Sequence, residues 1–264
     1  MVQRPLGNHH HGADTLPVTP DTTQTEPVTA ETEQLRGLVT GTRFVLFDFD
    51  GPICRLFAGH FAEGVARDLV EWLERQGLQG LLTEEERDHP DPQAVLLAVH
   101  KRHPGSDLVA ELEERLTQQE LRAVASAQPT GHADPLVRTW RALGARLAIT
   151  TNNSARAAAA YLAGRGLAEC FAPHIYGRTP ELHRMKPDPY HLNRALRAMG
   201  AAPDAAVMIG DAPSDLAAAA QAGVPFLGYA RNERKDKLLR DAGAETIVTS
   251  LEPVLRVLRG HSAG

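Results

Sequence analysis

A chain of 264 residues with 42% hydrophobic side chains is long enough for one large core with an insertion, or for two modest ones. A formal net charge of -5 offers no broad basic field, which argues against nucleic acid as a partner. No segment approaches the roughly 18 apolar residues of a membrane-spanning helix, and the N-terminus has no apolar stretch of signal-peptide length, so a cytoplasmic protein with no membrane partner is expected.

Residues 1–36 are rich in Thr, Pro, Glu and Gln without apolar periodicity, which predicts a disordered tail. The run His9, His10 and His11 inside it is read as a solvated feature of that tail. "FVLF" (44–47) then predicts a strand buried on both faces, and it ends on two carboxylates, Asp48 and Asp50, followed by Gly51 and Pro52. Two acids at the mouth of a buried strand repel each other and lose hydration, so a cation is needed to compensate.

From 58 to 128 no strand pattern appears. Phe61, Val65, Leu69 and Leu73 recur every fourth residue with Trp72 beside them, while Glu63, Arg67, Glu71 and Arg75 take the other face, which predicts an amphipathic helix. "DPQAVLLAVHKRH" and "SDLVAELEERLTQQELRAVAS" predict two more, the second with Leu108, Leu112 and Leu116 on one stripe. An all-helical cap subdomain over 58–128 is therefore expected, planted in an α/β core made of 37–57 and 129–264.

Beyond 128 the short apolar runs "RLAIT" (146–150), "AAVMIG" (205–210), "PFLGYA" (225–230) and "ETIVT" (245–249) alternate with helical stretches that end in Gly. Strand followed by helix, repeated, predicts a Rossmann-like parallel sheet with right-handed crossovers. The two cysteines, Cys54 and Cys170, lie far apart without C-x-x-C spacing and are read as reduced thiols.

In such sheets ligands bind beyond the carboxyl ends of the strands, so the polar residues found there should converge. They are Asp48 and Asp50 after the first strand, Thr151 and Asn152 after the second, Lys186 in "RMKPDP", and Asp211 with Asp215 in "IGDAPSD". Three or four carboxylates suit a hard oxygen-seeking cation, Mg²⁺ above all, because it needs few protein ligands plus water and a phosphate. The Thr151 hydroxyl and free backbone N–H groups entering the next helix suit a phosphate oxyanion, and Lys186 adds positive charge. Metal, anion pocket and lysine together describe phosphoryl transfer.

The ordered set "VLFDFDGPI", "LAITTNNS", "MKPDP" and "MIGDAPSD" resembles the haloacid dehalogenase superfamily of phosphohydrolases, with a phosphoglycolate phosphatase-like spacing and a helical cap after the first motif. The resemblance spans about residues 42–258. It implies that Asp48 is the nucleophile and Asp50 the acid and base. It also implies that Mg²⁺ is held by Asp48, the Asp50 carbonyl and Asp211, with Asp215 close by. Thr151 and the Asn152 backbone would hold phosphoryl oxygens, and Lys186 would orient Asp48. Pro52 stands where many phosphatases of the family have Thr.

The expected activity is Mg-dependent hydrolysis of a small phosphorylated metabolite. Arg55, His60 and Arg67 follow the first motif closely and are candidates for contacts to an anionic or polar leaving group. A phosphomutase of the β-phosphoglucomutase type shares these motifs and remains an alternative, as does a non-catalytic phosphometabolite sensor. Halide release needs no acid two residues after the nucleophile, so Asp50 argues for phosphate.

Overall fold

The structure, a computed structural model, describes Met1 and residues 30–261. Helix α1 (Ala30–Val39) comes first, and its Leu35 and Val39 are buried in the same apolar cluster as Val254 and Leu258 near the C-terminus. Residues 30–36 thus leave the unstructured tail expected from composition: two apolar side chains four apart supply a stripe that tertiary contacts can use. His9–His11 and the rest of the expected tail lie outside the described residues. Leu35→Ala is expected to cost about 2–4 kcal/mol, as for other buried leucines, read as a lower midpoint in urea unfolding. A midpoint matching the parent protein would mean that α1 adds nothing to the core.

Strand β1 (Phe44–Phe47) sits at the centre of a six-stranded sheet, so Val45, Leu46 and Phe47 are wholly buried. Phe47 meets Trp140 and Phe171 edge-on, with centroids 5.8 and 6.0 Å away, which fills one face of the sheet. The chain then turns through Gly51 into a two-residue strand, β2 (Cys54–Arg55).

The insertion follows as helices α2 (Ala62–Arg75), α3 (Glu84–Arg87), α4 (Pro92–Arg102) and α5 (Asp107–Val124). Val65, Leu69, Trp72 and Leu73 are buried as their spacing predicts, whereas Phe61 precedes the helix and is 75% exposed. The apolar period therefore starts at Val65. In α5, Leu112 and Leu116 are buried while Leu108 is only partly so, the stripe being completed by Val109. Side-chain caps set three starts: Thr83 and Glu86 bond each other's backbone N–H at α3, Asp91 accepts from Gln93 at α4, and Ser106 from Val109 at α5. Helices α2, α4 and α5, with Leu82, enclose their own apolar cluster, which takes in Leu182 and Met185 from the segment just before Lys186. Strand β3 (Gln128–Pro129) pairs antiparallel with β2, so a short ribbon closes the base of the insertion.

The remaining elements are α6 (Ala133–Ala142), β4 (Arg146–Ser154), α7 (Ala155–Gly164), α8 (Ala168–Phe171), β5 (Ile175–Arg178), α9 (Tyr190–Met199), β6 (Ala206–Gly210), α10 (Pro213–Ala222), β7 (Phe226–Tyr229), α11 (Glu233–Asp241), β8 (Ile247–Val248) and α12 (Glu252–His261). Strand order is β5-β4-β1-β6-β7-β8 with every pairing parallel. Gly200 and Gly223 close α9 and α10 in the left-handed conformation, at φ 63° and 69°, as the glycine-terminated patterns predict. β5 escaped the sequence reading because "IYGR" is short and sits at the sheet edge. Order reverses at β1, whose neighbours are β4 and β6, so the carboxyl ends of these three strands form the crevice where ligands bind in doubly wound sheets.

Candidate active site

Asp48 extends β1 by one residue, its N–H bonding the Ile209 carbonyl at 2.9 Å, so its carboxylate is held at the strand mouth by sheet hydrogen bonding. Gly51 bends the chain away at φ 119°. A Cβ there would stand 2.5 Å from Asp211 Cγ, so glycine serves both the turn and the close approach of Asp211. Asp50 points one oxygen at the Leu56 N–H, 2.9 Å away. Burial is the main force pushing its carboxyl up to about 6, with the Asp48 charge adding to it and the Leu56 bond opposing.

Lys186 is the buried cation that the paired acids require. Its Nζ lies 2.9 Å from Asp48 Oδ1, 2.5 Å from Asp215 Oδ1 and 2.9 Å from the Thr150 carbonyl. Burial works against its charge, but Asp215 and Asp48 outweigh that and hold its pKa above the ordinary value. Asp215 Oδ2 accepts from the N–H groups of Asp211 and Ala212, so both its oxygens are engaged: it caps α10 and anchors the lysine at once. A second cation, Lys235 from α11, pairs with Asp211 at 2.8 Å. Sequence reading missed Lys235 because it belongs to no motif and comes to the site only through the β7–α11 crossover.

Asp48, Asp211 and Asp215 each place an oxygen within 4.8 Å of the others, and all three are buried. Asp48 Oδ1 is buried and faces the Lys186 ammonium. Three buried carboxylates that offer only oxygen within so short a span fit a small hard cation. The Asp50 carboxylate stands outside this cluster.

Thr151 is wholly buried at the end of β4 and Asn152 partly so. The free helix-start N–H groups expected after Asn152 are in fact taken. Asn153 N–H donates to Thr151 Oγ1 at 3.1 Å, and Ser154 N–H donates at 2.9 Å to Glu120 of the insertion. The Asn152 side chain bridges to Lys186, its Oδ1 accepting the Lys186 N–H at 2.7 Å and its Nδ2 donating to the Lys186 carbonyl at 3.0 Å. Two motifs 34 residues apart are thus tied together by one amide.

The acids, Thr151, Asn152 and Lys186 line a cavity of about 470 Å³, walled on the insertion side by Phe57, Glu63 and Asp91. An adjoining cavity of about 480 Å³ opens beside Asp50 and is flanked by Arg55, Phe61 and Arg231. Arg55, one of the residues expected to meet substrate, is therefore near the site, bonded to Gln128 across the β2–β3 ribbon. His60 is not: its ring nitrogen pairs with Gln119 Oε1 at 3.0 Å and it lines neither cavity, nor does the exposed Arg67. Arg231 from the β7–α11 loop and Arg234 from the first turn of α11 line the first cavity instead, in a stretch whose sequence shows no phosphate-binding signature.

The charges make a testable pH dependence. Asp211 is raised to about 6 by burial, Lys235 opposing, and burial pushes Asp215 in the same direction against Lys186. With Asp50 these groups bind more protons folded than unfolded, so the stability they contribute is present at low pH and lost as pH rises through about 6. His191, buried and depressed to about 4, acts in the opposite sense, but only between about 4 and 6.5. Three raised carboxyls outweigh the one depressed histidine, so metal-free protein is expected to lose melting temperature from pH 5 to pH 6.5, and Mg²⁺ to raise it more at 6.5 than at 5. A melting temperature rising over that interval would contradict the charge assignment.

Fold and site together define a doubly wound α/β domain with an acid-rich, cation-compensated crevice at the switch point. A family model described as haloacid dehalogenase-like hydrolase matches residues 42–223, and the chain belongs to that family. It is 40% identical over 113 residues to a phosphoglycolate phosphatase of Rhodospirillum rubrum, covering 41% of this chain and 45% of the relative. A second phosphoglycolate phosphatase, from Thiobacillus denitrificans, is 30% identical over 115 residues, 44% of this chain and 50% of the relative. The chain thus matches about half the length of these curated relatives. Among solved structures, a predicted phosphatase from Clostridium acetobutylicum superposes with a TM-score of 0.61 at 17% identity, over 83% of this chain and 99% of that one, a likeness of fold. No helix among the described residues is long and apolar enough to cross a membrane.

Proposed function

We propose that the protein is a Mg²⁺-dependent phosphatase that hydrolyses a small phosphorylated metabolite through a phosphoryl group carried on Asp48. One observation carries the reading: Asp48, held by a buried lysine shared with Asp215 and standing beside Asp211, lines one cavity together with Thr151 and Asn152. An Asp48 oxygen attacks phosphorus as the bond to the ester oxygen breaks, and Asp50 gives its proton to the departing alcohol. Asp50 then takes a proton from water, whose oxygen attacks the same phosphorus and returns Asp48 as a carboxylate. A carboxyl raised to about 6 is suited to both transfers. Thr151 and Lys186 would meet phosphoryl oxygens. Bound at Asp48, Asp211 and the Asp50 carbonyl, Mg²⁺ would offset negative charge on the transferring group.

The cavity volumes suit a small metabolite better than a macromolecule. Arg55 and Arg231 flank the space beside Asp50, where the alcohol leaves, and suit one that bears an anion. Phosphate release from a panel of phosphorylated metabolites, with phosphoglycolate included because the curated relatives bear its name, tests the reading. Release lost in EDTA and restored by Mg²⁺ is expected. Chelation without effect would remove the metal from the proposal, and no release from any compound would remove the phosphatase.

A further inference from the structure

The irregular last stretch of β4 that carries Thr151 and Asn152 is held by a charge from outside the α/β core. Glu120 of α5 is wholly buried, and all four hydrogen bonds to its carboxylate come from donors. Oε1 accepts from Asn153 Nδ2 at 3.0 Å and from Arg178 Nη1 at 2.9 Å. Oε2 accepts from the Ser154 N–H at 2.9 Å and from Arg178 Nη2 at 3.0 Å.

Arg178, at the end of β5, completes the frame. Its Nη1 also donates to the Asn152 carbonyl at 3.0 Å, its Nη2 to Thr117 Oγ1 at 3.0 Å, and its Nε to Glu113 Oε1 at 3.0 Å. Glu113, Thr117 and Glu120 lie four and three residues apart, hence on one face of α5. Asn153 carries the connection inward, its Oδ1 lying 3.2 Å from the Thr151 hydroxyl. The end of β4 is also approached closely from the sheet edge: a Cβ at Gly177 would stand 2.4 Å from Ala155 N and 2.6 Å from the Asn153 carbonyl oxygen.

We propose that Glu120, held by Arg178, is a positioning residue that fixes the irregular end of β4 at Thr151 and Asn152 for phosphate, so that the insertion helix α5 helps to set the geometry of the core's anion site. In its role toward phosphate this rests on the functional reading above. The ordering of the strand end does not. A glutamine at 120 keeps the volume but must turn an amide NH₂ toward groups that are themselves donors, so no rotamer satisfies the site. Loss of position by about 1 Å at a reacting centre is worth about 100-fold in rate.

Glu120→Gln is therefore expected to lower kcat about 10- to 100-fold, to weaken inorganic phosphate binding at least about tenfold by calorimetry, and to speed hydrogen exchange at the Asn153 and Ser154 amides. A second variant, Glu120→Gln with Arg178→Met, also removes the guanidinium that has lost one of its two carboxylate partners and keeps Glu113; it should regain thermal stability while kcat and phosphate affinity stay low. Recovery of kcat along with stability would overturn the proposal, since the pair would then be merely structural. So would unchanged exchange at Asn153 and Ser154 in Glu120→Gln. Parent protein that releases no phosphate but binds inorganic phosphate would sink the phosphatase reading and leave the inference to be judged by binding and exchange. Parent protein that does neither would overturn both.

Discussion

Asp48→Asn is expected to reduce phosphate release by at least about 1,000-fold while leaving the fold intact. The amide oxygen cannot replace a carboxylate as the attacking group, and it removes one charge from the metal cluster. Stability should hold or rise, because the site gathers four carboxylates, Asp48, Asp50, Asp211 and Asp215, around two cations, Lys186 and Lys235. Lys186 keeps its 2.5 Å contact with Asp215 when Asp48 is neutralised. Phosphate release and a melting curve on the same preparation decide the matter. A melting temperature lowered by many degrees would make Asp48 a structural acid, and activity within about tenfold of the parent would exclude it as nucleophile.

Lys186→Met should behave in the opposite way, losing stability as well as activity. Removing one partner from a buried ionic group leaves uncompensated charge, here on Asp48 and Asp215, at a typical cost of about 3–5 kcal/mol. The stranded acids can escape by binding protons, and Asp215 is already raised by burial. The loss should consequently be largest near pH 7.5 and shrink below pH 6, since a raised carboxyl contributes stability at low pH that disappears as pH rises. Urea midpoints at the two pH values give the comparison. A variant within about 1 kcal/mol of the parent at pH 7.5 would show that the acids are neutralised some other way.

Glu120 marks the boundary of what sequence reading can reach. In α5 it continues the line of Leu112 and Leu116 at a spacing of four, so an acid on the apolar stripe is the one signal the pattern carries, and it does not say what the acid meets. Only the approach of β4 and β5 surrounds it with donors, and β5 was itself invisible as a four-residue edge strand. Phe61 and His60 fail for a related reason: periodicity extended the first insertion helix by one residue, and nearness in sequence to Asp50 was taken for nearness in space. α1 shows the converse. Its composition resembles a solvated tail, and its burial depends on α12, more than 200 residues later.

By itself the sequence determined the chemistry at the strand ends. A buried apolar run ending in two acids, with Thr151 and Asp211 at later strand ends, Lys186 in the loop after β5 and Asp215 in the first turn of α10, is constrained by local pattern and desolvation, both written along the chain. The tertiary structure alone decided the partners. Lys235 on Asp211, Glu120 and Arg178 on the end of β4, and Arg231 beside Asp50 come from separate elements whose approach depends on helix and sheet packing. A charge in a one-dimensional pattern carries no record of what it will face, because the energy of a buried ion is set by the atoms within a few ångströms of it, whatever their place in the chain.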